Sequence, residues 1–273
     1  MVDIKKIGIC IFIHYSVSNS LPYYVQIYIN ELSLYFDKVK VLTNNSEIHG
    51  ENYSLNNNIS FEYLENQGYD FGMFYRFIIN KDLNKFSEIA VVNDSNILIN
   101  KLDAVFNWAK ENGSDFWGVI DSNEKPWFST HDNNYHIQSH FLVFNQKAIK
   151  KLHSFLNLID VKNIMDEKNT KQLRRLVIDK WEIGLSQYLI SQGLKPDSFI
   201  RGDAIMKKFK PKKMNLTHSL YHELIKEGYP FMKRKVASNK KKLFRTNNTA
   251  WKKIIMQYGN NDWDLTKIIE ENS

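Results

Sequence analysis

A polar segment follows directly after an apolar run in the middle of the chain. Val91 and Val92 end a run typical of a buried strand, and Asn93, Asp94 and Ser95 come next. A carboxylate at a strand end can bind a divalent cation, or meet a diphosphate through one, since Mg²⁺ prefers carboxylate and phosphate oxygens. The alternative is a turn or a helix cap, because Asp and Asn bond readily to nearby backbone. The local sequence leaves both interpretations of Asp94 open.

A second polar segment, NQGYDFG, contains Asn66 and Asp70 together with Gly68 and Gly72. Glycine allows positive φ and lets a ligand come close to the backbone. Asp70 could therefore hold a ribose or a base by hydrogen bonds. The alternative is a plain turn that Asp70 caps.

A lone acid, Glu182, lies beside Trp181 within a helical pattern. A carboxylate in such a setting suits a general base. The alternative is an exposed helix carboxylate that pairs with Lys180.

A basic segment follows an aromatic turn late in the chain, where Lys233, Arg234 and Lys235 come after Tyr229 and Phe231. The arginine fork matches the geometry of phosphate oxygens. These cations could neutralise a diphosphate leaving group.

Several common catalytic signatures are absent from the sequence. It contains no GxGxxG, no GxxxxGK[ST], no HExxH and no GxSxG motif. The sequence therefore predicts neither a dinucleotide fingerprint nor a phosphate-binding loop of the usual kind.

The elements that must position these residues alternate between strand and helix patterns, which predicts an α/β fold with a mostly parallel sheet. The predicted strands cover residues 7–13, 38–42, 59–64, 88–92, 115–120 and 137–144. The predicted helices cover residues 22–36, 71–79, 101–111, 148–159, 172–191, 215–228 and 248–258. Ligands of such sheets bind beyond the carboxyl ends of the strands. Asn44, Asn66, Asp70 and Asp94 are therefore expected near one rim.

The charge of the 273-residue chain is uneven. Its net charge is +7, yet residues 201–253 hold sixteen Lys or Arg and three acids, or +13, which leaves −6 elsewhere. A basic C-terminal third implies an anionic partner, and the alternative is a solvated basic face. The single cysteine, Cys10, lies in an apolar run and predicts a buried side chain rather than a disulfide.

Taken together and in order, several segments resemble the rhamnan synthesis protein F family of bacterial glycosyltransferases. The segments are NQGYDFGMF, VVNDSN, DFWGVIDS, HIQSHFLVF, WEIGLS and NLTHSLYHELIKEGYPFMKR, and the resemblance spans about residues 7–235. The resemblance implies a GT-A-like, Rossmann-like fold over residues 1–200, with a basic and mainly helical extension at 201–273. It also implies transfer of a sugar from a nucleotide donor to a growing surface polysaccharide, such as an O-antigen of lipopolysaccharide or a capsule. Rhamnose from dTDP-rhamnose is the first expectation, and a UDP-hexose or UDP-galactofuranose donor is the alternative.

Under this resemblance, Asp94 takes the place of the Asp-x-Asp motif that many GT-A enzymes use to hold a metal and a diphosphate. The expected cofactor is a divalent cation, Mg²⁺ or Mn²⁺, with His218 or another distant residue as a second ligand beside Asp94. Alternatively, Lys233 and Arg234 neutralise the diphosphate without a metal. Glu182 is expected to take the proton of the acceptor hydroxyl, which gives inversion.

The remaining site residues are expected on the two sides of this centre. The predicted donor side comprises Asn44, Asn66, Asp70, Asn93, Ser95, Lys233 and Arg234. The predicted acceptor side comprises Trp117, Gln138 and Ser139. Trp117 is included because aromatic faces stack on sugar rings.

A non-catalytic module is the rival interpretation, in which the basic tail binds a membrane or nucleic acid. The enzyme interpretation involves no nucleic acid, but it allows residues 207–253 to meet an anionic membrane beside a lipid-linked acceptor. The N-terminal apolar stretch is too short for a signal peptide, so a cytoplasmic location is expected, with peripheral contact to the inner membrane face.

Overall fold

A computed structural model describes residues 7–211, 215–237 and 249–273. The strands are β1 (Ile7–His14), β2 (Lys38–Thr43), β3 (Ile59–Tyr63), β4 (Phe86–Asn93), β5 (Asn96–Leu98), β6 (Phe116–Ser122), β7 (His136–Ile137), β8 (Phe141–Asn145), β9 (Pro196–Ile200) and β10 (Phe231–Lys233). The helices are α1 (Tyr23–Leu32), α2 (Tyr69–Ile78), α3 (Asp103–Glu111), α4 (Gln146–Leu158), α5 (Val161–Asp166), α6 (Thr170–Leu176), α7 (Gly184–Ser191), α8 (Gly202–Phe209), α9 (Leu216–Ser219), α10 (Tyr221–Lys226), α11 (Arg234–Ala237), α12 (Ala250–Tyr258) and α13 (Leu265–Glu271).

The central sheet is mostly parallel, as the sequence predicts. Its strands run in the order β3, β2, β1, β4, β8 and β6, and β9 pairs with β6 on the other side from β8. Within the described residues, β8 and the short β7 run antiparallel to their neighbours, and the other pairs of this sheet are parallel. The carboxyl ends of β1, β2 and β4 therefore meet at one rim.

Each face of the sheet packs on a hydrophobic layer, which explains the continuous apolar run of β1. Cys10 and Phe12 belong to one cluster of buried side chains, whereas Ile9, Ile11 and Ile13 belong to the other. Side chains alternate between the faces of a strand, so both faces of β1 must be apolar. Helix α1 covers the first face, while α2, α4 and α7 cover the second.

The C-terminal third shares the first of these cores. Leu224, Trp251, Ile255 and Ile268 are buried in the same cluster as Phe12. A second, two-stranded sheet ties this part of the chain to the strand-end rim, because β10 pairs antiparallel with β5 just after β4. Residues far apart in sequence are thereby brought beside Asp94.

Two of the predicted elements are interrupted in the structure. The strand predicted at 137–144 is interrupted, because β7 ends at Ile137 and β8 begins at Phe141. The intervening turn is held by the Gln138 N–H, which donates to the Ile120 carbonyl at 3.0 Å. The helix predicted at 215–228 is two short helices, α9 and α10.

The basic stretch 207–253 lies partly outside the described residues, since 212–214 and 238–248 belong to neither described range. Its expected contact with a membrane surface stays a prediction. Across the three described ranges, no helix has the length and apolar character needed to cross a bilayer.

Candidate functional site

Asp94 lies at the rim, where β4 ends beside β1. Its backbone N–H donates to the Ile13 carbonyl at 3.2 Å, so Asp94 sits level with the last residue of β1, His14. The His14 Nδ1 lies 2.7 Å from Asp94 Oδ2, and both residues are buried. Asn93 forms the local turn instead, since its Oδ1 accepts the Ser95 N–H at 3.1 Å. The Asp94 carboxylate does not form this turn and instead contacts residues of other elements.

A guanidinium reaches the same carboxylate oxygen from the C-terminal part of the chain. Lys233 pairs with Asn96 across the small sheet, and the Arg234 N–H donates to the Ser95 carbonyl at 3.0 Å. The Arg234 Nη1 then donates to Asp94 Oδ2 at 3.2 Å. The Tyr24 ring lies 5.2 Å from the guanidinium carbon, a cation–π distance that helps to fix its position.

A first cleft opens over this pair, with a volume of about 440 Å³. It is lined by Tyr15, Asp94, Ser95, Lys233, Arg234, Lys235, Glu271, Asn272 and Ser273. The Glu271 carboxylate is already used, since it accepts the N–H groups of Tyr23 and Tyr24 at the start of α1. Basic groups therefore face this cleft and suit an anionic ligand.

A second cleft, with a volume of about 460 Å³, shares Lys233 and Lys235 with the first. It is lined by Ser122, Glu124, Pro126, Phe128, His136, Gln138, Lys171, Arg174, Arg175, Ile178, Glu182, Asn215, His218, Lys233 and Lys235. The Ser139 N–H donates to Glu182 Oε1 at 3.3 Å, which orients the acid in this cleft.

The helix that carries Glu182 explains how the acid is presented. A π-helical stretch, Val177–Ile183, joins α6 to α7. Trp181 is 3% exposed and packs against Phe71 and Phe74 in the second core. Because Trp181 anchors the helix to the core, the neighbouring Glu182 is directed to the cleft. Such π-helical turns often occur at functional sites.

Acidic and basic side chains that influence one another lie between the two clefts. The Asn93 Nδ2 donates to Asp70 Oδ2 at 2.7 Å. Burial, followed by the negative charges of Asp94 and Glu182, raises the pKa of Asp70 to about 7. Burial lowers the pKa of Lys233, an effect that the charges of Glu182 and Asp70 oppose. Lys233 therefore stands within the electrostatic reach of acids from both sides of the rim.

The structure brings most of the predicted site residues together. Asp94, Ser95, Lys233 and Arg234 line the first cleft, while Gln138, Glu182 and His218 line the second. Asn93 and Asp70 join them through the hydrogen bond between their side chains.

Three predicted residues lie elsewhere or serve another contact. Asn44 holds the loop after β1, since its amide accepts the Ser16 N–H at 2.7 Å and donates to the Ser16 carbonyl at 3.0 Å. Asn66 is exposed before α2. Trp117 is 5% exposed and packs edge-on against Phe106, so it contributes to the core and presents no ring face to a sugar. The acceptor role predicted for Trp117 is corrected accordingly.

His14 and the basic face of α6 belong to the site but are not among the residues predicted from the sequence. His14 directly follows the first apolar strand, so its place at the rim could have been read from the strand end. Lys171 precedes Arg174 and Arg175 by three and four residues. Such spacing places the lysine on the same helix face as the arginines, which is the signal that could have found them.

The two predicted metal ligands, Asp94 and His218, line different clefts. Throughout the described residues, no group of three or more His, Cys, Asp or Glu side chains lies close enough to hold one. Asp94 Oδ2 is shared between an imidazole and a guanidinium, and His218 lines the second cleft rather than the first. Burial and the nearby Lys233 lower the pKa of His218. The metal roles predicted for Asp94 and His218 stay predictions.

Known proteins resemble this chain over most of its length. A family model described as rhamnan synthesis protein F matches residues 41–272. Two curated relatives named virulence protein VirA, from Vibrio anguillarum and from its strain ATCC 68554 / 775, are each 28% identical over 235 residues. That alignment covers 73% of this chain and 68% of the relative.

Solved structures match this chain at low sequence identity and low TM-score. A putative glucose-1-phosphate thymidylyltransferase from Bacillus anthracis is 10% identical, with a TM-score of 0.37 over 70% of this chain and 87% of that one. A 4-diphosphocytidyl-2C-methyl-D-erythritol synthase from Anaerococcus prevotii is 11% identical, with a TM-score of 0.40 over 71% and 86%.

Proposed function

Because this chain belongs to the rhamnan synthesis protein F family, we propose that it is a glycosyltransferase of bacterial polysaccharide synthesis. It moves a sugar from a nucleotide diphosphate donor to a growing surface glycan, on a GT-A-like fold. The observation that carries the proposal is the pair of clefts at the strand-end rim, which share Lys233. One cleft takes the donor phosphates and the other takes the acceptor.

The donor diphosphate occupies the first cleft, where Arg234 and Lys233 neutralise it. Arg234 is held by Asp94, whose carboxylate is in turn held by His14 at 2.7 Å. Asp94 is then a positioning residue that acts through Arg234. In this mechanism the cations Lys233 and Arg234, rather than a metal, stabilise the leaving group. Such charge stabilisation is commonly the largest part of catalysis.

Glu182 is the general base in the second cleft. The acceptor oxygen forms a bond to the anomeric carbon while the bond from that carbon to the donor phosphate oxygen breaks. The acceptor proton goes to Glu182, and the electron pair of the broken bond leaves with the nucleoside diphosphate. Attack from the face opposite the leaving group inverts the anomeric centre. The backbone N–H of Ser139 orients the carboxylate of Glu182 for this role.

Nucleoside diphosphate binding is the first test. A thermal-shift panel of UDP, dTDP and GDP, each with Mn²⁺ and with EDTA, reports the preferred base through the rise in Tm. We expect binding in EDTA, and a loss of about 10- to 100-fold in affinity for Arg234→Gln, the range of a charge-assisted contact. A shift with none of the three nucleotides would contradict the donor assignment. A shift only with Mn²⁺ would instead favour Asp94 as a metal ligand.

Transfer activity is the second test. Glu182→Gln keeps the size of the side chain but cannot accept the proton, so we expect turnover to fall by about 100-fold or more with donor affinity unchanged. The matched control is Glu111→Gln, which alters an exposed carboxylate on α3, outside both clefts. Full activity in a folded Glu182→Gln variant would remove Glu182 from the mechanism.

A further inference from the structure

The second cleft carries more positive charge than the proposed reaction uses. Its lining includes five basic side chains but only two acidic ones, Glu124 and Glu182. A neutral sugar that offers a hydroxyl to Glu182 needs no cations around it. Lys233 and Lys235 also face the first cleft, whereas Lys171, Arg174 and Arg175 face the second alone.

These three residues form one face of a helix. Lys171 begins the series in α6, Arg174 and Arg175 follow after three and four residues, and Ile178 comes next with the same spacing. Side chains at this spacing lie above one another on a helix. The same helix continues to Glu182, so a ligand held by the basic face is held at a fixed position relative to the acid.

The basic face lacks the partners that usually neutralise such groups. Within the described residues, none of the Lys171, Arg174 and Arg175 side chains makes an ion pair at or below 4.0 Å. Arg175 contacts an aromatic ring instead, with its guanidinium carbon 4.5 Å from the centre of Trp127. Stacking fixes the plane of a guanidinium while its N–H groups stay available for an anion.

Mutual repulsion in the cleft points to an anionic ligand. Arg174 and Lys235 help to lower the pKa of Lys233, after the larger effect of burial. Positive groups that disfavour one another in this way are relieved when a bound anion joins them.

On the basis of the proposed transferase function, we propose that the acceptor carries a phosphate or diphosphate, which the second cleft binds through Lys171, Arg174 and Arg175. Two adjacent guanidinium groups can donate to several oxygens of one phosphate, whereas a carboxylate ligand would offer them only two oxygens. The phosphate has two chemical sources, a lipid carrier diphosphate or a phosphorylated sugar of the glycan. The apolar side chains of Pro126, Phe128 and Ile178 in the same cleft suit the first source.

The experiment uses the full chain saturated with whichever of UDP or dTDP it binds. Inorganic pyrophosphate, farnesyl diphosphate and glucose 6-phosphate are then titrated by calorimetry. We expect pyrophosphate to bind beside the nucleotide and its affinity to fall about 10- to 100-fold in Arg174→Gln, the range of a charge-assisted contact. Nucleotide affinity in that variant stays within about twofold, which also shows that it folds. The matched control is Lys162→Gln, an exposed basic residue on α5 outside both clefts.

The outcomes separate the inference from the function on which it rests. Tighter binding of farnesyl diphosphate than of glucose 6-phosphate supports a lipid carrier, and the reverse supports a phosphorylated glycan. A chain that binds the nucleotide but no second anion, or whose pyrophosphate affinity is unchanged in Arg174→Gln, overturns the inference alone. A chain that binds pyrophosphate through Arg174 but no nucleoside diphosphate overturns the transferase function, and with it the assignment of the anion to an acceptor.

Discussion

Replacing Asp70 with asparagine is expected to stabilise the protein, by an amount that grows as the pH rises. The folded protein holds this carboxyl near Asp94 and Glu182, and its pKa is raised from 3.8 to about 7, first by burial. Between these two pH values the folded state keeps a proton that the unfolded state has lost. Folding stability therefore falls as the pH rises from about 4 through about 7. The amide of the Asp70→Asn variant would not titrate and would escape this loss.

The size of the effect follows from the pKa. Each pKa unit corresponds to about 1.4 kcal/mol. The loss for the native protein is therefore about 2 kcal/mol at pH 5 and about 4 kcal/mol at pH 8. The advantage of Asp70→Asn over the native protein should grow by about 2 to 3 kcal/mol between these pH values. The hydrogen bond from Asn93 is retained, because the new amide oxygen can accept it.

Urea unfolding followed by tryptophan fluorescence at pH 5 and pH 8 measures this difference directly. The control is Glu88→Gln, since burial also raises the pKa of Glu88 to about 7 while its place in β4 is outside both clefts. The control should show the same sign of pH dependence without altering nucleotide affinity. A stability difference between Asp70→Asn and the native protein that is equal at pH 5 and pH 8 would refute the reasoning.

Three further substitutions test the elements that hold the site. Trp117→Ala should cost about 3 to 5 kcal/mol in urea unfolding because it empties a buried ring site, and a cost under about 1 kcal/mol would mean that the ring is not core. Gly118→Ala would place a Cβ against the Phe141 carbonyl oxygen and should destabilise by about 1 to 3 kcal/mol, whereas an unchanged urea midpoint would contradict that contact. His14→Ala removes a hydrogen bond to Asp94 and should weaken nucleoside diphosphate binding about tenfold in calorimetry, and equal affinity would remove His14 from the site.

Much of the sheet could be predicted because its strands are long and apolar. The run 7–13 predicts β1 to within one residue, since both of its faces are buried and the whole run is apolar. The short strands β5 and β10 could not be predicted. Each has three residues, and their pairing joins positions about 135 residues apart. The local sequence of either strand contains no signal of such a distant pairing.

The site shows the same division between local and distant information. The place of Asp94 at the rim follows from the end of β4, a local signal. Its partners do not, because His14 and Arg234 lie 80 and 140 residues away in the chain. Trp117 shows the opposite error, since an aromatic residue in a strand looks the same in sequence whether its ring lies in the core or in a cleft. Both faces of β6 are buried, so the Trp117 ring lies in the core.

The lone acid at the end of β4 has a physical explanation in the residues around it. A second carboxylate beside Asp94 would place two negative charges next to a guanidinium that one already satisfies. The chain has Asn93 and Ser95 in those positions, and Asn93 gives its amide to Asp70. Asp94 therefore serves one cation, Arg234, and fixes where its positive charge lies. Under the proposed function, Lys233 then stands between the donor phosphates and Glu182, where it can meet the charge that develops on the leaving oxygen.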